Sequence, residues 1–209
     1  VPEVVPLADR TRSPITQRGE LWRLGAHRVL CGDARDPADY TRLMDGQVTD
    51  VGFTDPPYNV KIDGHVCGSG KVKHREFAIA TGEMDKAGFT RFLRDALSGM
   101  AEVSLDGAIH FVCMDWRHAG ELLGAGRSIY SECKNLCVWV KTNAGMGSLY
   151  RSQHELVYVF KAGTAPHINN VELGRHGRYR TNVWEYAGAG KEPVAHVEEL
   201  EFETVELAV

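Results

Sequence analysis

No apolar run in this 209-residue chain approaches the roughly 20 residues that a membrane-spanning helix needs, so nothing in it reads as an anchor. The opening stretch, Val1 to Pro14, has no charged segment followed by an apolar core, so no secretory signal is read there and a cytoplasmic location is expected. Cysteine is scarce. The five (Cys31, Cys67, Cys113, Cys133 and Cys137) are odd in number and scattered, which excludes a disulfide framework. His65, Cys67 and His74 lie close in sequence, but there is no CxxC pair and no second ligand pair at zinc spacing, so no metal is expected. A G-x-G-x-x-G run is missing as well. So is net positive charge, the formal value being -4 at neutral pH.

What is present is one α/β domain's worth of chain, with 43% hydrophobic residues, enough for a core. The negative charge is local. Residues 191 to 209 hold six Glu and one Lys, leaving the remainder with 23 basic against 22 acidic residues. The basic groups gather at Lys71-Val72-Lys73-His74-Arg75 and at Arg175-His176-Gly177-Arg178-Tyr179-Arg180, and such clusters matter more to phosphate contact than the total does. The chain divides into three segments: a linker over 1–19 rich in Pro, Ser, Thr and charge, a domain over 20–187, and an acidic tail over 188–209.

The organising stretch is Thr54-Asp55-Pro56-Pro57-Tyr58-Asn59. Val51-Gly52-Phe53 reads as a short buried strand, and two prolines cannot continue a ladder, so Asp55 stands at the strand's carboxyl end. In open α/β sheets ligands bind beyond such ends. An exocyclic amino group on a nucleobase is a poor nucleophile because its lone pair is delocalised into the ring. A carboxylate at Asp55 and a backbone carbonyl near Pro56 can take one N–H each and localise that pair for attack on a sulfonium methyl, while Tyr58 offers a flat face to an extruded base. Taken alone, Asp-Pro-Pro is also an ordinary turn former.

The surrounding residues favour the first reading. Cys31-Gly32-Asp33-Ala34, a polar helix and the strand into Asp55, followed later by Asn143-Ala144-Gly145-Met146-Gly147-Ser148-Leu149-Tyr150-Arg151-Ser152-Gln153-His154-Glu155 and an apolar strand, resemble the β class of amino-methylating site-specific DNA methyltransferases over residues 20 to 187. In that family D-P-P-Y is typical of adenine-N6 enzymes and S-P-P-Y of many cytosine-N4 enzymes. The linker resembles those that precede the methylase part of ParB-like/methylase fusions. The resemblance implies a Rossmann-like S-adenosylmethionine-dependent methyltransferase sheet, double-stranded DNA as partner, S-adenosylmethionine as cofactor, Asp55, Pro56, Pro57 and Tyr58 as catalytic residues, and Asp33 and Ala34, with Asp55, at the cofactor. Asp33 has a second reading, as a plain turn before a helix. The resemblance fails after Tyr186: the family's cofactor strand and glycine loop do not appear there, so the sheet is expected to be incomplete. A second chain or domain would supply that loop, and the chain alone is expected to hold cofactor weakly.

Along the chain, Leu21–Leu24 and His27–Cys31 read as a hairpin, Asp36 to Asp45 as a short helix, 87–103 as a core-facing helix, and Ala108 to Met114 as a buried strand. A helix through Leu122, a strand over 136–141 and another over 155–160 complete the pattern. Asp115 is read as a helix N-cap or a cofactor contact. Residues 59 to 86 form a long loop, read either as a flap with Lys71, Lys73 and Arg75 near phosphate or as a solvated loop. Lys141 and Asn143 are candidate DNA or base-pocket contacts, and Arg175, Arg178, Tyr179 and Arg180 candidate target-recognition residues. Arg151, His154 and Glu155 are read as hairpin-building.

Overall fold

A computed structural model describes residues 15–61, 79–145, 149–169 and 171–186, and the backbone of 206–208. Lys71, Lys73, Arg75, and all of the acidic tail but that backbone lie outside the described residues.

Strands β1 (Leu21–Leu24) and β2 (His27–Cys31) form the expected antiparallel hairpin, turning at Gly25 with φ +65°. Helix α1 (Pro37–Met44) starts where its sequence dictates: Asp36 caps it by accepting from the Ala38 N–H at 2.9 Å, and Pro37 sits in the first turn, where no donor is needed. It ends at Asp45 in the left-handed region, φ 50°. After β3 (Thr49–Thr54) comes α2 (Lys86–Glu102), capped by Asp85, then β4 (Ser104–Met114), a 3-10 turn (Trp116–His118), α3 (Ala119–Gly126), β5 (Glu132–Val140), β6 (His154–Lys161), β7 (Val183–Glu185) and β8 (Glu206–Ala208).

The main sheet runs β3-β4-β6-β5-β7. β3 and β4 are parallel, β6 is antiparallel to β4 and β5, and β7 is parallel to β5. Among the described residues β3 is therefore an edge strand with one partner. That placement changes one expectation. Phe53 reads as part of a buried run, yet it is 57% exposed, because an edge strand lacks a neighbour to cover its outer side. Residues 206–208 of the tail pair in parallel with β2, in a second sheet ordered β1-β2-β8. The strand β7 carries no recognisable signal in the sequence.

Strand alternation divides the core. Ala108, Val112 and Met114 of β4 and Tyr158 and Phe160 of β6 face α2 and α3, meeting Phe89, Leu93, Leu97 and Leu122. Ile109 and Cys113, with Val157, Val159 and Cys137, line the other face. Helix α2 lies so close to β3 that a Cβ on Gly52 would sit 2.9 Å from the Met100 sulfur and 3.0 Å from the His110 ring, so a larger residue there requires those side chains to shift.

His110, fully buried, ties these layers together. Ser104 donates to the Met100 carbonyl at 2.7 Å, so its oxygen accepts from His110 Nε2 at 2.9 Å, leaving Nδ1 to accept from the Tyr130 hydroxyl at 2.9 Å. The neutral ring is satisfied on both sides. Burial lowers its pKa from 6.5 to about 4. The unfolded chain therefore binds a proton that the folded chain refuses, and stability falls as pH drops from the first value toward the second, by about 3 kcal/mol in total. His110→Gln keeps a donor and an acceptor but cannot titrate. Urea denaturation at neutral pH and at about pH 4.5 should show a smaller acid loss in this variant than in the unaltered protein.

Candidate active site

The last ladder pair of β3 is Thr54 opposite Val112 of β4. Pro56 and Pro57 are buried and have no N–H to offer, so the strand stops and the chain turns away, leaving Asp55 at the crevice mouth. Tyr58 donates its hydroxyl to Asp55 Oδ1 at 2.6 Å, which fixes the ring beside the carboxylate. The Asp55 carboxylate reaches solvent yet has protein on its remaining sides. This crowding raises its pKa above the ordinary value, the Tyr58 hydroxyl lowers it, Glu155 raises it and Lys141 lowers it. Tyr58 is pushed well above its usual range, first by burial and then by the Asp55 charge, so it stays a neutral donor. Cys113, level with Asp55 in the ladder, has its thiol pushed up to about 12 by burial and the two carboxylates, so it is no nucleophile.

Lys141, the first residue after β5, pairs with Glu155 of β6 across the hairpin and lies 5.7 Å over the Trp139 ring. The site thus gathers Asp55, Tyr58, Cys113, Lys141 and Glu155 at one end of four strands. Glu155, read from sequence as a hairpin residue, belongs to this cluster. Its signal is a carboxylate in phase with buried Val157 and Val159 at the start of an apolar strand.

Asn59 is a residue to which sequence reading assigns no role of its own. It is 7% exposed and left-handed, φ 52°. Its Oδ1 accepts from the Gly82 N–H at 3.0 Å and the Met84 N–H at 3.2 Å, while Nδ2 donates to the Met84 carbonyl at 2.9 Å. The amide fastens the turn bearing Asp55 and Tyr58 to the segment that leads into α2.

Asp33 makes a turn, in keeping with one of its two readings. Its carboxylate takes the Arg35 guanidinium as a fork, at 2.9 and 2.6 Å, with Arg18 at 3.5 Å, and the hydrogen bond from Arg35 is the main reason its pKa falls to about 2. Ala34 is half-buried in the same turn. Arg35 in turn lies 5.5 Å over Phe92 of α2. Asp115 is an N-cap, accepting from the Arg117 N–H at 2.9 Å. Asn143 is exposed, and Arg151 closes the base of its loop through the carbonyls of Ala144 and Gly145. Arg175 and Arg178 share Glu172, at 3.5 and 3.3 Å, whereas Tyr179 is 79% exposed and Arg180 faces solvent. Because Asn182 is held at the Leu136 carbonyl, midway along β5, the parallel β7 carries Glu185 and Tyr186, rather than the arginines, to the sheet's carboxyl edge beside Lys141. Among the described residues no group of His, Cys, Asp and Glu is placed to hold a metal, and no helix is long and apolar enough to cross a membrane.

A mixed sheet with a carboxylate–phenol pair where its edge strand ends is the architecture of a Rossmann-like methyltransferase. The PvuII DNA methyltransferase (cytosine-N4-specific) superposes with a TM-score of 0.51 at 7% identity, over 79% of this chain and 59% of that one, a likeness of fold. The M1.HpyAVI–SAM complex gives 0.49 at 13% identity over 78% and 68% of the two chains. TTHA0409 from Thermus thermophilus, a DNA modification methylase by its description, complexed with S-adenosyl-L-methionine, gives 0.47 at 14% over 80% and 70%. No curated protein matches the sequence. The DNA methylase family model, which covers N6 and N4 enzymes, matches residues 49–202, and the chain belongs to that family.

The Asn59 clamp leads to a measurable expectation. Asn59→Ala leaves two N–H groups and a carbonyl without their partner and puts alanine, which tolerates the left-handed region less well than asparagine, at positive φ, which should cost about 2 to 4 kcal/mol. Asn59→Gly relieves the φ strain but not the lost bonds, so its denaturation midpoint should fall between those of the alanine variant and the unaltered protein. Equal midpoints for all three would show that the amide anchors nothing.

Proposed function

We propose that this chain is a site-specific DNA methyltransferase that methylates N6 of an adenine flipped out of double-stranded DNA, with S-adenosylmethionine as donor. The observation that carries the reading is the Asp55–Tyr58 pair, 2.6 Å apart, at the carboxyl end of β3. One oxygen of Asp55 is engaged by Tyr58, and the other is left to accept an N–H of the target amine. The Pro56 carbonyl takes the second N–H, and the amine is drawn out of conjugation. The Tyr58 ring, oriented by its own hydrogen bond, stacks the base. Asp55 acts only when ionised. Because its pKa is raised, activity is lost on the acid side at a higher pH than for an ordinary carboxylate, and Lys141 limits that loss.

The donor set fits an electrophile of positive charge at the transfer end, where Asp55 and Glu155 face one ammonium, that of Lys141. When bound, S-adenosylmethionine would supply a methyl group activated by its sulfonium. Asp55 would border that end, and the turn at Asp33 and Ala34 would hold the adenosine end, Asp33 through what its Arg35 fork leaves open. Adenine is preferred over cytosine because Asp opens the tetrapeptide. Arg175, Arg178, Tyr179 and Arg180, with Lys141, Asn143 and the basic run Lys71, Lys73 and Arg75, extend the DNA surface.

Two variants should behave in opposite ways. Asp55→Ala should lower methyl transfer by about a hundredfold or more while DNA binding persists. Neutralising Arg175, Arg178 and Arg180 together should weaken DNA binding and reduce the salt slope by up to about three, one per lost phosphate contact. Mass analysis of nucleosides from the methylated DNA should find N6-methyladenine; N4-methylcytosine in its place would overturn the adenine assignment.

A second reading, a module that needs another chain or domain for its cofactor, is favoured by the outer edge of β3, unpaired among the described residues, together with the lack of a G-x-G-x-x-G run. It expects residues 1–209 alone to bind S-adenosylmethionine weakly or not at all. Micromolar affinity by calorimetric titration would remove it.

A further inference from the structure

Trp116 has no part in the crevice chemistry, yet it occupies a costly position. The indole is 61% exposed, although tryptophan is among the costliest side chains to leave in water. Its position is set by the sheet. Thr54 pairs with Val112, so Asp55 is level with Cys113, and Trp116 stands three residues further along, in the first turn beyond β4, on the strand next to the one that carries Asp55. Neighbouring strands are about 4.8 Å apart, which puts this rim on the order of 10 Å from Asp55.

The turn that presents the indole is braced. Asp115 accepts from the Arg117 N–H at 2.9 Å and from its Nε and Nη2 at 2.7 and 3.0 Å. The guanidinium so held lies 6.0 Å from the Trp116 ring centroid. Behind it, His118 meets the Phe89 ring edge-on at 5.0 Å and approaches Glu121 at 3.3 Å. The turn's backbone is thereby held, and an aromatic side chain open to solvent on it has only two torsions to order when a second flat group covers it.

We propose that Trp116 is a DNA-stacking residue, its indole taking the face of a base neighbouring the extruded one at the rim of the crevice. The inference rests on the DNA methyltransferase reading above. Extruding a base leaves its neighbours with an exposed π-face, and an exposed indole one strand away replaces the lost stacking without reading sequence. The contact is to a base, not to phosphate, so it adds affinity without adding salt dependence.

The test uses the full chain, mixed-sequence duplex and single-stranded oligonucleotides, and two variants. DNA should quench the tryptophan emission of the unaltered protein, which has four tryptophans. Trp116→Phe keeps a stacking ring, so it should bind within a few-fold of the unaltered chain but lose most of that quenching. Trp116→Ala should bind about tenfold more weakly, the worth of one stacked base, with an unchanged salt slope. Far-UV dichroism and thermal melts check folding, and if the alanine variant misfolds, the quenching lost in the phenylalanine variant decides. Undiminished quenching in Trp116→Phe, or a folded Trp116→Ala that binds as the unaltered chain does, would overturn the stacking role alone. Failure of the unaltered chain to bind any DNA would sink the methyltransferase reading along with it.

Discussion

The hydrogen bonds of one buried amide, Asn59, set the geometry that the remainder of the crevice depends on. Two prolines end β3 by withholding donors, but ending a strand does not aim the residues beyond it. A chain leaving a sheet edge has many directions open to it. The Asn59 side chain, accepting two N–H groups from Gly82 and Met84 and donating to the Met84 carbonyl, selects one. Asp55 and Tyr58 then meet at 2.6 Å because the turn that carries them is fixed at its far end. An aspartate at position 59 would be isosteric but would lack the donor and add a charge, so the amide is a chemical requirement and not only a matter of size.

Around this turn the electrostatics are arranged to keep opposing tendencies close. Burial pushes Asp55 toward neutrality, and the Glu155 charge adds to that push. The Tyr58 hydroxyl and the Lys141 ammonium oppose it. Lys141 is itself positioned by Glu155 and by the face of Trp139, so a residue on β6 and an aromatic on β5 bear on a carboxylate on β3. Such coupling explains why a glutamate can be tolerated at the head of a strand whose next alternate positions, Val157 and Val159, are buried.

Much of this is legible in the residues. The Asp36-Pro37 cap, the spacing of Phe89, Leu93, Leu97 and Met100, and the proline stop after Thr54 are local signals, and local signals survive into the structure within a residue or two. The parts that cannot be read are those that depend on partners distant in sequence. Val183–Glu185 is three residues long and becomes a strand only because β5 lies beside it. Phe53 looks like core in an apolar run and is exposed because its strand has one neighbour among the described residues. Glu155 joins the site through a hairpin register that brings Lys141 across to it, and Asn59 acts through residues more than twenty positions away. The tetrapeptide Asp55-Pro56-Pro57-Tyr58 is the easiest part to read, since the chemistry it suggests is contained in consecutive residues.

The single-sided attachment of β3 among the described residues has a consequence for how binding is felt across the domain. The strand that ends in Asp55 is held on one side by β4, and its register to β4 shifts between Thr49 and Val51. A strand fastened on one side keeps more freedom than one pinned on both. Anything that pairs with the outer edge of β3 therefore narrows the motion of Asp55 as well. By thermodynamic linkage the effect runs both ways: by whatever factor pairing at that edge favours a ligand at Asp55, a ligand at Asp55 favours pairing at that edge, with no contact between the two.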